Sequence, residues 1–266
     1  LVDDMSETTF HPAVIEMRGA GIAALRDTSL LVVEAVDWSV LPGEFWVVAG
    51  QQRSGKSDLL MHAAGLMTPV RGACRIFGCD AREFDERQLA DRMRVGFVFA
   101  DGRLFGQLTI AENVALPLRY HKNLTETEAA CAVELLLELL ELTPFADATP
   151  ANVAAHCRRR ASLARALALQ PELLLLDNPL GGLGARHRQW LLDFLDQLWR
   201  GHESFGGRPM TIVATTDDLR VWRHSRRKFA ALHEGAFSVL GAWEGEDFAR
   251  HQAVKELLSA PPEFNS

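Results

Sequence analysis

One octapeptide constrains the fold of this 266-residue chain more than any other feature: Gly50-Gln51-Gln52-Arg53-Ser54-Gly55-Lys56-Ser57, a full match to G-x-x-x-x-G-K-[ST]. An apolar run, Phe45-Trp46-Val47-Val48-Ala49, leads into it from a Pro42-Gly43 turn, and a helical stretch from Asp58 to Ala64 follows. Strand, turn, helix is the context a phosphate-binding loop requires. Backbone N–H groups of such a turn point inward around phosphate oxygens. Glycines let the backbone approach without a Cβ clash, and the helix N-terminus adds partial positive charge. Gly50, Gln51, Gln52, Arg53, Ser54, Gly55, Lys56, Ser57 and Asp58 are therefore the expected nucleotide-binding residues. Lys56 is expected to reach the β- and γ-phosphates, and the Ser57 hydroxyl to ligand Mg²⁺.

Other short apolar runs repeat the strand pattern at Val95–Phe99, Leu173–Leu176 and Thr211–Thr215. Strands that read as continuous hydrophobics and alternate with helical segments predict an α/β fold, a mostly parallel sheet flanked by helices. Val32-Val33 and Val36–Val40 read as antiparallel strands ahead of that sheet. Asp177 ends the run Leu173–Leu176, where open α/β sheets bind ligands, so Asp177 joins Ser57 as an expected metal residue, acting through water. Between the second and third parallel strands lies a block of helical texture. Glu128 to Leu142 carries Glu134, Glu138 and Glu141 on one helical face and leucines on the rest, and a second helix is expected over about 154–169.

Composition narrows the function classes. Lys+Arg 28 against Asp+Glu 35 gives a net charge of −7 and a pI near 5.7, a poor start for binding nucleic acid. Arg158-Arg159-Arg160 is expected to be a solvated helix face. The stretch Arg220, Arg223, His224, Arg226, Arg227 and Lys228, with Trp222, could form a nucleic-acid groove only against that overall charge. Trp38, Trp46, Trp190 and Trp199 are expected to fill the core or its rim. Cys74, Cys79, Cys131 and Cys157 form no C-x-x-C pair, and the histidines show no H-x-x-x-H spacing, so free thiols and no zinc site are expected. No window approaches the ~18 consecutive apolar residues of a membrane span, and a soluble chain is expected, with Met5 as a possible start and a frayed tail from about Ala260.

The order of GQQRSGKS, GFVFADGRLFGQLTIAENVALPL, RRRASLARALALQPELLLLDNPLGGL and TIVATTDDL resembles the ATP-binding (ATPase) subunits of ABC transporters over roughly 13–240. Within that family the stretch ADGRLFGQLTIAENVALPLRYHKNLTETEA is most similar to the Mce/Mla-type lipid-transport subfamily. The resemblance implies a P-loop NTPase domain at 13–240 with a helical subdomain inserted at about 102–165, then a C-terminal helix and tail at 241–266. It also implies ATP and Mg²⁺ as ligands, a homo- or heterodimer with another ABC subunit, and an MlaE-like membrane permease as partner. The chain would then be cytoplasmic and peripheral on the membrane through that permease, whose coupling helix would sit on the surface from about Ala100 to Leu118.

The departures from the family are as informative as the match. The strand-end glutamine aligns with Ala100, and the L-S-G-G-Q signature with Val153-Ala154-Ala155-His156-Cys157. The glutamate after the Walker B aspartate aligns with Asn178, the aspartate after S-G-L with Gly184, and the switch histidine with Thr216. No aromatic stands clearly where the family stacks adenine. Asn178 can place a water but cannot take its proton, a function worth ~10²–10⁴ in rate. Thr216 cannot replace an imidazole at the γ-phosphate. Asn178 and Thr216 thus mark degenerate catalytic positions. Ala155 and His156 put side chains where the signature's glycines approach phosphate, and obstruction is the expected result, although a protonated His156 could donate. Signature and glutamate fail in one polypeptide, so either kind of dimer would hold two impaired sites. An ATP-binding subunit with weak or no hydrolysis is expected; the alternatives are a competent ATPase driving lipid transport and a scaffold that binds no nucleotide.

Overall fold

The structure, a computed structural model, describes residues 12–82, 94–122, 124–224, 226–243, 245, 248 and 250–259. The possible start at Met5 and the tail from Ala260 lie outside the described residues. The first strands, β1 (Ile15–Ala24) and β2 (Asp27–Val40), pair antiparallel with Ile15 opposite Val40 and Met17 opposite Trp38. With β4 (Ala73–Ile76) and β5 (Cys79–Asp80) they form a four-stranded sheet in the order β2-β1-β4-β5. A second sheet runs β10-β9-β3-β8-β7-β6, built from β3 (Phe45–Gly50), β6 (Val95–Val98), β7 (Leu173–Leu176), β8 (Thr211–Thr216), β9 (Lys228–His233) and β10 (Ala236–Ala242). Its pairs are parallel except β9 with β10. That last hairpin makes the sheet mixed at one edge.

Both faces of its central strands β3, β7 and β8 are buried, and alternate side chains of these strands enter different cores. Phe45, Val47, Ala49, Leu174 and Leu176 pack under the helices α2 (Ile110–His121), α3 (Glu126–Leu139), α4 (Ala155–Leu167) and α5 (Ala185–Arg200). Trp46, Val48, Leu173 and Leu175 pack against α1 (Lys56–Ala63) and the antiparallel sheet. Trp38 and Trp46 are buried, and Trp190 and Trp199 sit partly buried at the core's edge, as core or rim residues should. A further helix, α6 (Gln252–Ser259), follows β10. Among the described residues no helix is long and apolar enough to cross a membrane.

Several expectations need correction. The helix expected to reach Leu142 stops at Leu139, and Glu141 stands past its end with φ 54°. Leucine spacing continued beyond that point because Leu140 and Leu142 are core residues of the turn. Arg158–Arg160 is no solvated face. Arg158 donates to Val153 O at 2.6 Å, Arg159 to Pro179 O at 3.0 Å, and Arg160 is buried against Glu141 and the Trp190 ring. Side chains of the second basic stretch are likewise engaged within the protein. Trp222 is fully buried, Arg227 is buried against Asp196, and Lys228 pairs with Glu44. The four cysteines are free thiols, and burial, above all, pushes Cys74 up to about 12.

Candidate functional site

The parallel register brings three strand ends to one edge. Val48 and Ala49 of β3 lie opposite Thr215 and Thr216 of β8, and Leu176 of β7 lies opposite Ala214. The loop leaving β3, the residues leaving β7 and the end of β8 therefore converge at the C-terminal edge, where open α/β sheets place their sites.

The loop Gly50–Ser57 is closely built. A Cβ on Gly50 would lie 2.5 Å from Ser54 Oγ and 2.7 Å from Leu232 O, so only glycine fits there. Gly55 caps α1 with φ 94°, and Arg53 takes a left-handed φ of 64° without being glycine. Lys56 is buried and folded over its own loop, donating to Gly50 O at 2.7 Å and Gln51 O at 2.6 Å. Burial lowers its pKa from 10.5, opposed by the charges of Asp217 and Asp177. Gln51, Gln52 and Arg53 are exposed, and a cleft of about 360 Å³ opens beside them, walled by Val32, the β9–β10 turn and α6. The Asp58 carboxylate is engaged elsewhere. It accepts from Leu25 N at 2.7 Å and pins the β1–β2 hairpin to α1.

Ser57 Oγ donates to Asp177 Oδ2 at 2.8 Å across 120 residues of chain, and Thr215 Oγ1 donates to Asp177 Oδ1 at 3.0 Å. A hydroxyl beside a carboxylate at the mouth of a phosphate loop is the hard-oxygen donor set that suits Mg²⁺, which takes only one or two protein ligands and completes its shell with water and phosphate. Among the described residues no group of three or more His, Cys, Asp or Glu could hold a metal by itself. The residues present fit Mg²⁺ shared with a bound triphosphate: Ser57 would hold it, and Asp177 would orient it.

The degenerate positions are also placed. Asn178 stands at the end of β7 with a left-handed φ of 41°, its N–H donating to Thr215 Oγ1 at 2.9 Å and its amide nitrogen to Asp217 Oδ2 at 3.3 Å. Thr216 is bonded within its own turn. It is buried, donates to Asp218 O at 2.9 Å, and accepts from Asp218 N at 3.1 Å. The His156 ring lies flat on His187 of α5, with centroids 3.7 Å apart and planes at 10°. Its pKa is lowered by burial, then by His187 and Arg160, so a protonated donor at His156 is disfavoured. Ala154 and Ala155 are exposed at the start of α4. Thr215 and Asp217 are site residues that sequence reasoning missed, although both lie in the ATTDD run.

Comparison with known proteins gives the same outline. A family model described as ABC transporter matches residues 33–181, more than half of the chain. The sulfate/thiosulfate import ATP-binding protein CysA of Synechococcus elongatus is 41% identical over 80% of this chain and 59% of its own length. The methionine import ATP-binding protein MetN 2 of Paraburkholderia xenovorans is 31% identical over 94% of this chain and 64% of its own. The chain thus spans about three-fifths of the length of these relatives. Among solved structures, the dimeric ATP-binding cassette MJ0796 in a post-hydrolysis state with ADP and phosphate aligns at TM-score 0.72 and 27% identity, covering 84% of this chain and 95% of that one. CbiO1 of Clostridium perfringens, part of the ABC transporter complex CbiONQ, aligns at TM-score 0.71 and 19% identity over 92% of this chain and 94% of its own, a likeness of fold.

Proposed function

The chain belongs to the ABC transporter family of ATP-binding proteins, and on that premise we infer that it binds ATP with Mg²⁺ at Gly50–Ser57 and Asp177 and hydrolyses it slowly or not at all. The observation that carries this reading is the 2.8 Å bond from Ser57 to Asp177 at the mouth of the loop. The groups the family uses for binding are assembled there, whereas Asn178 and the buried Thr216 stand where it keeps its glutamate and histidine. The domain spans 13–240 in this reading, with the helical block of about 102–165 as a subdomain and 241–266 as its C-terminal extension.

As a subunit it would dimerise, with a copy of itself or another ABC subunit, and sit on the cytoplasmic face of a membrane through a permease. Phe105, 57% exposed in the segment leading into α2, supports docking on the 100–118 surface. The stretch from Ala100 to Ala129 supports an MlaE-like permease and a lipid cargo. The relatives' names, sulfate/thiosulfate and methionine import, favour a second reading of the cargo, a solute importer. Mass spectrometry of the permease that co-purifies with the native chain separates these cargo classes.

For the site itself, ATP·Mg²⁺ at ~100 Kd should raise the melting temperature by about 5–10 °C, and Lys56→Ala should abolish the rise. Phosphate release should stay below ~1 s⁻¹, and Asn178→Glu should increase it. No thermal shift would favour the scaffold alternative, and turnover at or above ~1 s⁻¹ the competent ATPase.

A further inference from the structure

Position 178 lacks a carboxylate and both oxygens of Asp177 are engaged by Ser57 and Thr215, whereas the turn after β8 supplies a further acid. Thr216 is tied by two hydrogen bonds to the backbone of Asp218, and the Asp218 carboxylate accepts from Arg220 Nε at 2.8 Å. Both neighbours of Asp217 are thereby committed to the turn. The Asp217 carboxylate instead meets the Asn178 amide at 3.3 Å, and its charge acts on the Lys56 ammonium ahead of that of Asp177. Asn178 Oδ1, the other end of that amide, is a buried acceptor with no hydrogen-bond partner among the described residues. The Asn178 amide thus has its nitrogen on the Asp217 carboxylate and its oxygen sealed from solvent, so the accessible polar group of the pair is the partly buried Asp217 carboxylate.

We propose that Asp217 is the carboxylate that takes the proton of the attacking water in this chain, and that Asn178 positions Asp217. The inference rests on the reading of Gly50–Ser57 as an ATP site. As the water oxygen bonds to the terminal phosphorus, the bond to the bridging oxygen of ADP breaks and that oxygen keeps the electron pair. The water proton passes to Asp217. Asn178 then has a definite use: its nitrogen holds the acid.

The test is single-turnover hydrolysis of Mg·ATP by the full chain, read beside the ATP-induced rise in melting temperature. Asp217→Asn should slow hydrolysis by about tenfold or more. The thermal rise should persist or grow, because a negative charge near the triphosphate has been removed. In the Asn178→Glu background Asp217→Asn should cost little hydrolysis, since the carboxylate has only moved across a hydrogen bond; a purely structural Asp217 would slow both backgrounds alike. Asp217→Glu, which keeps the acid, should stay within about tenfold of the wild type and guards against an unfolded amide variant. Equal rates in the wild type and Asp217→Asn overturn the proposal, as does a wild type that binds ATP and never releases phosphate. A wild type with no ATP-induced thermal rise removes the ATP site, and this inference with it.

Discussion

Lys56 shows how one residue serves binding at the expense of stability. Its ammonium is buried over the carbonyls of Gly50 and Gln51, and burial holds its folded pKa below 10.5 despite Asp217 and Asp177. Between the lowered folded value and 10.5 the unfolded chain binds more protons than the folded one, so stability rises with pH across that window. Urea unfolding at about pH 7 and about pH 10 should therefore show the wild type gaining on Lys56→Met at the higher pH, and a gap that does not change would contradict the linkage. Two further residues mark the site as strained. Arg53 and Asn178 hold left-handed backbones at φ 64° and 41° without being glycine. Such conformations cost ~1–3 kcal/mol and persist where the surroundings impose them. Nothing in the one-letter pattern of the octapeptide announces the strain at Arg53, because the motif leaves that position open.

At the scale of elements, α1 links the phosphate loop to the core through His62. This side chain is fully buried, its Nδ1–H donates to Asp58 O at 2.8 Å, and burial is the main cause of a pKa below 6.5. The sign follows directly: as pH falls from 6.5 toward the folded value, the unfolded chain gains the proton first and stability is lost. Thermal melts across mild acid should fall in the wild type, and His62→Gln should flatten that slope. The inserted helices are bounded by sequence-local devices. Thr109 with Glu112, and Thr125 with Glu128, form complete capping boxes at the starts of α2 and α3. Their starts were therefore written in the chain. The end of α3 was not, because the leucines at 140 and 142 stay buried after the helix has stopped.

Across the whole molecule, the helices are fastened to one another by an arginine that the charge run at 158–160 assigned to solvent. Arg160 reaches Glu141 beyond α3 and lies 3.6 Å from the centre of the Trp190 ring on α5. Removing it uncovers buried surface and strands its partners. Arg160→Ala should cost about 2–3 kcal/mol by denaturant unfolding, whereas Glu141→Gln, whose carboxylate is largely exposed, should cost under about 1 kcal/mol. Comparable losses would mean that the ion pair rather than the stacking carries the contact. The octapeptide, the four apolar runs and Asp177 were legible in the chain because each rests on local rules: a glycine where backbone must approach, a hydrophobic run where a strand is buried on both faces, an acid at a strand end. Tertiary structure alone decided which strand lies beside which. The placing of β7 next to β8 set Thr215 on Asp177 and Asp217 beside Asn178, and turned Thr216 into a buried clasp for the Asp218 turn. Strand order is a contest among long-range pairings with no signature in neighbouring residues, so the binding loop and Asp177 could be read from the sequence and the meeting of Asp217 with Asn178 could not.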